Sequence, residues 1–456
     1  MPLNPGMPPV ASTSRSFPWS KLAFGLVVLF TLVLAEQRIR FVCANTPNVL
    51  FWDQWDLYNP LFHGEGPWAV FSYQHGPHRQ GLGGLATAGL ATLTRWDVRG
   101  DAILTIGASA LAALLALPLA RRCGARAGLW LLPVPLIFLT TRQFEGWVGA
   151  PNAAHSAFPV LLTVLYGLTW FVRDWRWRLA AQVPLTLFLV FTGFGLFVGA
   201  FSPVLLAFET WHARREPIRV AATAAALLLT LGIWALFFHG YHHQPAVSDF
   251  HFPHERPWEY LWFVALMFAN FADLQPFHPY GLAAGVLPLL LVGLAFTRGR
   301  ALLTAAPSAQ PANTVLTLLA GATLLFCLNT AIGRVSLGWQ EAPYASRYVT
   351  LTALGIFALY LQGEGLARPW ARLTAWGGIL ALMIFSGLVF SREDRNATEW
   401  YRLGRERWRE ACLTQPEPPA TVPVPGGDFP IHPGDVRAKV DFLRRHRLNL
   451  FAPTPY

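Results

Sequence analysis

The stretch DAILTIGASALAALLALPLARRCGAR, residues 101–126, decides the fold class. From Ala102 to Ala120 it carries no charge, and then Arg121, Arg122 and Arg126 follow together. A run of about 20 apolar residues is what an α-helix needs to cross the roughly 30 Å hydrocarbon layer. A basic cluster at one end marks the side of the membrane that retains positive charge. The stretch therefore predicts a membrane span at about 101–119 with its C-terminal end on the cytoplasmic side.

Working outward, the same pattern repeats. Basic clusters stand at RDWRWR (173–178), HARREPIR (212–219), RGR (298–300), and Arg368 with Arg372. Spans that fit these anchors lie at about 22–35, 127–145, 154–172, 179–192, 194–210, 220–238, 281–297, 313–331, 348–363 and 373–390. With 101–119 this makes about eleven crossings, an all-α polytopic membrane protein. The first run has Val33 and Ala35 where a signal peptide would be cut. An uncleaved helix with a cytoplasmic N-terminus is preferred, because Arg15 and Lys21 precede it and many spans follow. The runs 81–95 and 258–272 break charge parity if counted as crossings, so they are read as helices in the outer interface or dipping into it.

Composition agrees. Only 13% of residues are charged and mean hydropathy is +0.37, against about 25% charged in soluble domains. The net charge of +10 is accounted for by the clusters, and no basic domain is left that could fold alone on nucleic acid. Cys43, Cys123, Cys327 and Cys412 include no C-x-x-C pair, which argues against zinc and redox sites. Cys43 and Cys412 both fall outside, where a disulfide or two free thiols are both open.

This reading gives a membrane domain, 1–390, with a long first outer loop at 37–100, and an outer tail, 391–456. Its amphipathic stretch, 435–451, is expected to pack onto the outer face. No acidic or basic residue lies near the middle of a proposed span, which argues against an ion-coupled transporter. The polar chemistry collects on outer loops.

Three groups stand out there. In NVLFWDQWDLYNPLFHG (48–64), Asp53 and Asp56 share a face at i, i+3 if the stretch is helical. Trp55, Tyr58 and Phe62 cover the adjacent face toward the headgroups, and Pro60 weakens any role for His63. A carboxylate here can act as general base or hold a cation on a phosphate; it can equally cap a helix and face water. In YQHGPHRQGLGGL (73–85), His75, His78 and Arg79 suit proton transfer, metal ligation or phosphate binding, or a polar turn at the headgroups. In NTAIGRVSLGWQEAPYASRYV (329–349), Arg334 and Arg347 lie against the charge trend. A guanidinium pair matches a phosphate, and snorkelling is the alternative. Glu145, His242 and His243 are candidates for the same cavity. His251 and His254 have metal-like spacing among prolines.

These residues resemble the GT-C superfamily of integral-membrane glycosyltransferases, and most closely bacterial polytopic membrane proteins of that type. The resemblance rests on the Trp-rich stretch with Asp53 and Asp56, on His78-Arg79, on Ser346-Arg347-Tyr348, and on RLNLF at 447–451. It implies transfer of a sugar, with inversion, from a polyprenyl-phosphate-linked donor to an envelope glycan or lipid acceptor at the outer face of a bacterial inner membrane. Asp53 would be the base, with Asp56 the alternative. Arg79, Arg347 and Arg334 would hold the donor phosphate, and His78, His75, Glu145, Trp55 and Tyr348 would line the acceptor cavity. A divalent cation, magnesium or manganese, would sit on Asp53, Asp56 and His78 if one is used. Such proteins look like Asn-Glu-His-Arg where this chain has Gly76-Pro77-His78-Arg79, so the acid before the histidine is missing. Competing readings are a lipid-linked glycan ligase or polymerase, a flippase, and a non-catalytic assembly protein.

Overall fold

The protein was analysed as a computed structural model that describes residues 19–243, 250–274, 279–304, 310–339, 342–415 and 417–453. The Pro-rich stretch read as a cytoplasmic N-terminus lies almost wholly outside these residues.

Helices dominate. They run in order α1 (Trp19–Asn45), α2 (Gln54–Leu57), α3 (Asn59–Phe62), α4 (Pro67–Ser72), α5 (Gly81–Thr94), α6 (Val98–Arg122), α7 (Pro133–Phe138), α8 (Ala157–Thr169), α9 (Trp175–Phe191), α10 (Leu196–Gly199), α11 (Phe201–His212) and α12 (Pro217–Phe238). After them come α13 (Trp258–Phe271), α14 (Pro279–Ala283), α15 (Val286–Thr304), α16 (Gln310–Arg334), α17 (Val349–Glu364), α18 (Pro369–Gly387), α19 (Arg392–Thr414) and α20 (Arg437–His446). Two small antiparallel hairpins complete the chain: β1 (Gln74–His75) with β2 (His78–Arg79), and β3 (Thr421–Val424) with β4 (Gly427–Pro430). Among the described residues, 7 helical stretches are long and apolar enough to cross a membrane, and α5 and α8 are shorter apolar helices. The architecture is that of an all-α membrane protein.

The expected span at 127–145 is not one helix. It is a 3-10 turn at Gly128–Leu131, then α7, a 3-10 turn at Thr141–Gln143 and a wide π turn at Glu145–Gly149. Pro133 and Pro135 cannot donate backbone hydrogen bonds, and the Thr140 hydroxyl accepts from Arg142 N and restarts the chain (3.3 Å). The run 258–272 is helical, but its second half does not lie on a surface. Phe263, Leu266, Met267, Phe268 and Phe271 are fully buried, packed against α15, α16 and α17.

The two ends of the bundle differ chemically. At one end the Arg126 backbone N–H donates to Glu364 (3.2 Å), and Arg298 bonds Gln362 and Asn313. The C-termini of α6, α15 and α17 and the N-termini of α16 and α18 meet there, as the basic clusters require. At the other end sit the first loop, the C-terminus of α16 and the chain after α18.

The tail packs on the first loop, as 435–451 led us to expect, and Asn449 is its fastener. Asn449 Nδ2 donates to Asn48 Oδ1 (2.8 Å) and to the Trp96 carbonyl (2.7 Å). Its Oδ1 accepts from Leu50 N (3.3 Å), and its carbonyl accepts from Asn48 Nδ2 (3.0 Å). It has φ of 50°, a conformation that asparagine tolerates better than bulkier residues. The RLNLF stretch is thus a structural clasp. All four cysteines are free, Cys43 exposed and Cys412 buried.

Asn449→Ala leaves several buried polar groups without partners. It should lower the local opening free energy by about 2–4 kcal/mol. Hydrogen exchange should speed up over residues 48–52 and 447–451 and stay unchanged in α6 and α16.

Candidate functional site

At the end of the bundle that carries the first loop is a cavity of about 590 Å³, within the range of small-molecule sites. Four segments build it. The first loop gives Trp52, Asp53 and Asp56; the β1–β2 hairpin gives His75 and His78; the irregular stretch after α7 gives Glu145, Asn152 and His155; the α16 end and the turn before α17 give Arg334, Arg347 and Tyr348. Glycines bring the walls together. A Cβ on Gly83 would lie 2.3 Å from Ala154 Cα, and one on Gly193, whose φ is 49°, would lie 2.3 Å from the Ala154 carbonyl oxygen. Only glycine allows α5 and the turn after α9 to close on the segment that carries His155.

Of the sequence candidates, Asp53, Asp56, His75, His78, Glu145, Arg334, Arg347 and Tyr348 all line this one cavity. The expected single helix from Asp53 is two short ones broken at Tyr58. Asp53 stands before the first of them without making a side-chain cap. Among the described residues its carboxylate has no ion-pair partner, and neither has the Arg334 guanidinium. Glu145 Oε1 lies 3.4 Å from Arg347 Nη1. Burial opposes the charge on Arg347, but Glu145, Tyr348 and Asp53 outweigh it and raise its pKa.

Arg79, Trp55, His242 and His243 do not line it. Arg79 turns away from the cavity. Its guanidinium donates to the carbonyls of Phe237 (2.8 and 3.0 Å), His239 (2.8 Å) and Ser72. Phe237 and His239 end α12, so Arg79 satisfies orphan carbonyls at the negative end of a helix dipole. Trp55 is fully buried, its ring 5.9 Å from that of Trp408. With Tyr58 and Phe62 it packs under the tail rather than toward headgroups. His63 is exposed outside the cavity.

Asp56 is not free. Lys439 Nζ donates to its Oδ1 (3.2 Å) and to the Trp55 carbonyl (2.6 Å), and His432 Nε2 lies 3.1 Å from its Oδ2. Burial alone would raise its pKa, but His432 and Lys439 reverse this and bring it down to about 2. The same pairing raises His432. Both oxygens are occupied, and the ammonium would repel a second cation. Among the described residues no group of three or more His, Cys, Asp or Glu is arranged to hold a metal ion. The set Asp53, Asp56 and His78 does not fit a divalent cation.

Sequence reasoning missed His155, Trp52, Asn152, His432 and Lys439. His155 had a signal, a lone histidine at the start of an apolar run. Lys439 had another: the chain has only two lysines, Lys21 and Lys439. No protein-family model, no curated protein and no solved structure matches this chain.

The tail contact at Asp56 should depend on pH. The Asp56 contribution is present above its ordinary 3.8 and is lost as pH falls toward about 2. The His432 contribution is full below its ordinary 6.5 and is lost as pH rises through its raised value. The contact should therefore be firmest between about pH 4 and 6.5. Corrected amide exchange over 430–440 should be faster at pH 9 than at pH 6, by about 1 kcal/mol or less for so accessible a pair. His432→Gln should abolish that difference.

Proposed function

We propose that the protein is a membrane glycosyltransferase of GT-C type. It would move a sugar from a polyprenyl-phosphate-linked donor to an envelope glycan or lipid acceptor at the outer face of the membrane. The observation that carries this reading is a carboxylate, Asp53, and a guanidinium, Arg334, both without ion-pair partners among the described residues and both on one cavity that also holds Arg347. The positive-inside pattern favours placing that cavity outside, opposite the basic end.

In this reading Arg334 and Arg347 hold the donor phosphate, and Asp53 faces the acceptor hydroxyl. The acceptor oxygen attacks the anomeric carbon while Asp53 takes its proton. The bond from that carbon to the phosphate oxygen breaks, and its electron pair leaves with the lipid phosphate. The two guanidiniums stabilise the growing phosphate charge. Attack opposite the leaving group inverts the anomeric centre. Asp56, tied by the tail, keeps the loop in place and is the weaker base.

The test is to purify the protein and assay transfer from a polyprenyl-phosphate sugar, or to measure envelope glycans in a complemented deletion strain. Asp53→Asn should lower transfer by about 10²-fold or more at normal protein level, and Asp56→Asn by much less. Full activity in Asp53→Asn removes Asp53 as the base and this mechanism with it.

A further inference from the structure

The charged groups on the cavity are already committed. Glu145 pairs with Arg347 and Asp56 with the tail; in the transferase reading Asp53 is the base and the arginines take phosphate. What is left is a group of imidazoles and amides. His78, 6% exposed, has a buried Nδ1 with no hydrogen-bond partner among the described residues. Its ring lies 4.2 Å from Phe194 and 5.2 Å from His155, edge to face. Gln80 Nε2 lies 3.2 Å from His155 Nε2, which leaves the other ring nitrogen of His155 as the donor. His75 stacks on His155 at 5.9 Å.

A buried polar atom without a partner, beside an open cavity, calls for a ligand group. A neutral imidazole offers one donor and one acceptor, which suits hydroxyls. Burial, with His75 and Arg334 beside it, holds the His78 pKa down at about 3, so it stays uncharged. His155 is lowered for the same reason, by burial and then by His78, His75 and Arg347. With Arg334 and Arg347 taken by the donor phosphate in the transferase reading, a carboxylate placed among these rings would be desolvated without a cation to pair it, and an ammonium would also face Arg334.

We propose that His78 and His155, the latter held by Gln80, form the sugar-recognising wall of the cavity and that the sugar transferred is uncharged. This rests on the transferase reading and narrows its substrate to neutral polyhydroxyl rings, such as a pentose, hexose, deoxyhexose or N-acetylhexosamine.

The experiment is mass spectrometry of envelope glycans from a deletion strain of the source organism, complemented in turn with wild type, His78→Gln, His78→Phe, His155→Gln and His155→Phe. The residue lost on deletion should be neutral. At matched protein level the Phe variants should restore it about tenfold less than wild type, and the Gln variants within about threefold, because an amide replaces the hydrogen bond and a phenyl ring does not. A uronic, free-amino or phosphorylated residue lost on deletion overturns the neutral wall and leaves the transferase reading standing. Glycans unchanged by deletion overturn both. Gln variants as inactive as Phe would make the imidazoles acid–base groups, and fully active Phe variants would leave them no role in recognition; either result overturns the proposal.

Discussion

The structure depends on one buried cation. Arg142, 4% exposed, forms ion pairs with Asp273 at the end of α13 and with Asp394 in the first turn of α19. Its carbonyl accepts from the Ser346 hydroxyl (2.6 Å), and Ser346 Oγ in turn accepts from Glu145 N (3.2 Å). Gln143 is held in turn by Thr350 (2.9 Å). These bonds keep 139–156 from running as a continuous α-helix. Irregular backbone at such a place is tolerated only where protein surrounds it or where it borders a cavity. Here it does both, and it delivers Glu145, Asn152 and His155 to the site. Losing Arg142 would strand two carboxylates, one of them buried, which is far more costly than never having had the pairs.

The short SRY sequence shows how closely framework and site are joined. Ser346 fastens the irregular segment, Arg347 meets Glu145 from that segment, and Tyr348 lines the cavity beneath the guanidinium, 5.6 Å from its ring centroid. Three consecutive residues therefore serve packing, charge and shape. Asp56 works similarly on the other wall, where its partners come from the tail rather than from a ligand. The cavity is left with few uncommitted charges, and these are the ones that can act on something entering it.

Much of this was legible in the sequence because hydrophobic runs and basic clusters are local signals. Most runs became helices, although 194–210 is broken at Ala200 and 281–297 between Ala283 and Val286, and eight of the candidate side chains read as loop residues line one cavity. The failures share a cause: the deciding partner is far along the chain. Arg79 reads as a phosphate ligand until the end of α12 is found above it. Trp55 reads as an interfacial residue until Trp408 covers it. Asp56 reads as a free carboxylate until Lys439 and His432 arrive. The break at 127–145 was the exception, since Pro133 and Pro135 announced it locally, but its apolar composition outweighed them in the reading.

The clasp at Asn449 has a consequence for how the protein is made. Asn48 and Asn449 are 401 positions apart, and the tail closes over a loop made long before it. Contacts of such long separation carry a large loop-closure cost and form late. The helices of the bundle can insert one after another, but the first loop must wait, with Trp55 and Phe62 uncovered, until the segment around Asn449 is available. Closure of the tail over the first loop is therefore a late event in folding. A chain stalled before the segment around Asn449 would be membrane-embedded and helical, yet would still show an open aromatic face to whatever quality-control machinery meets it.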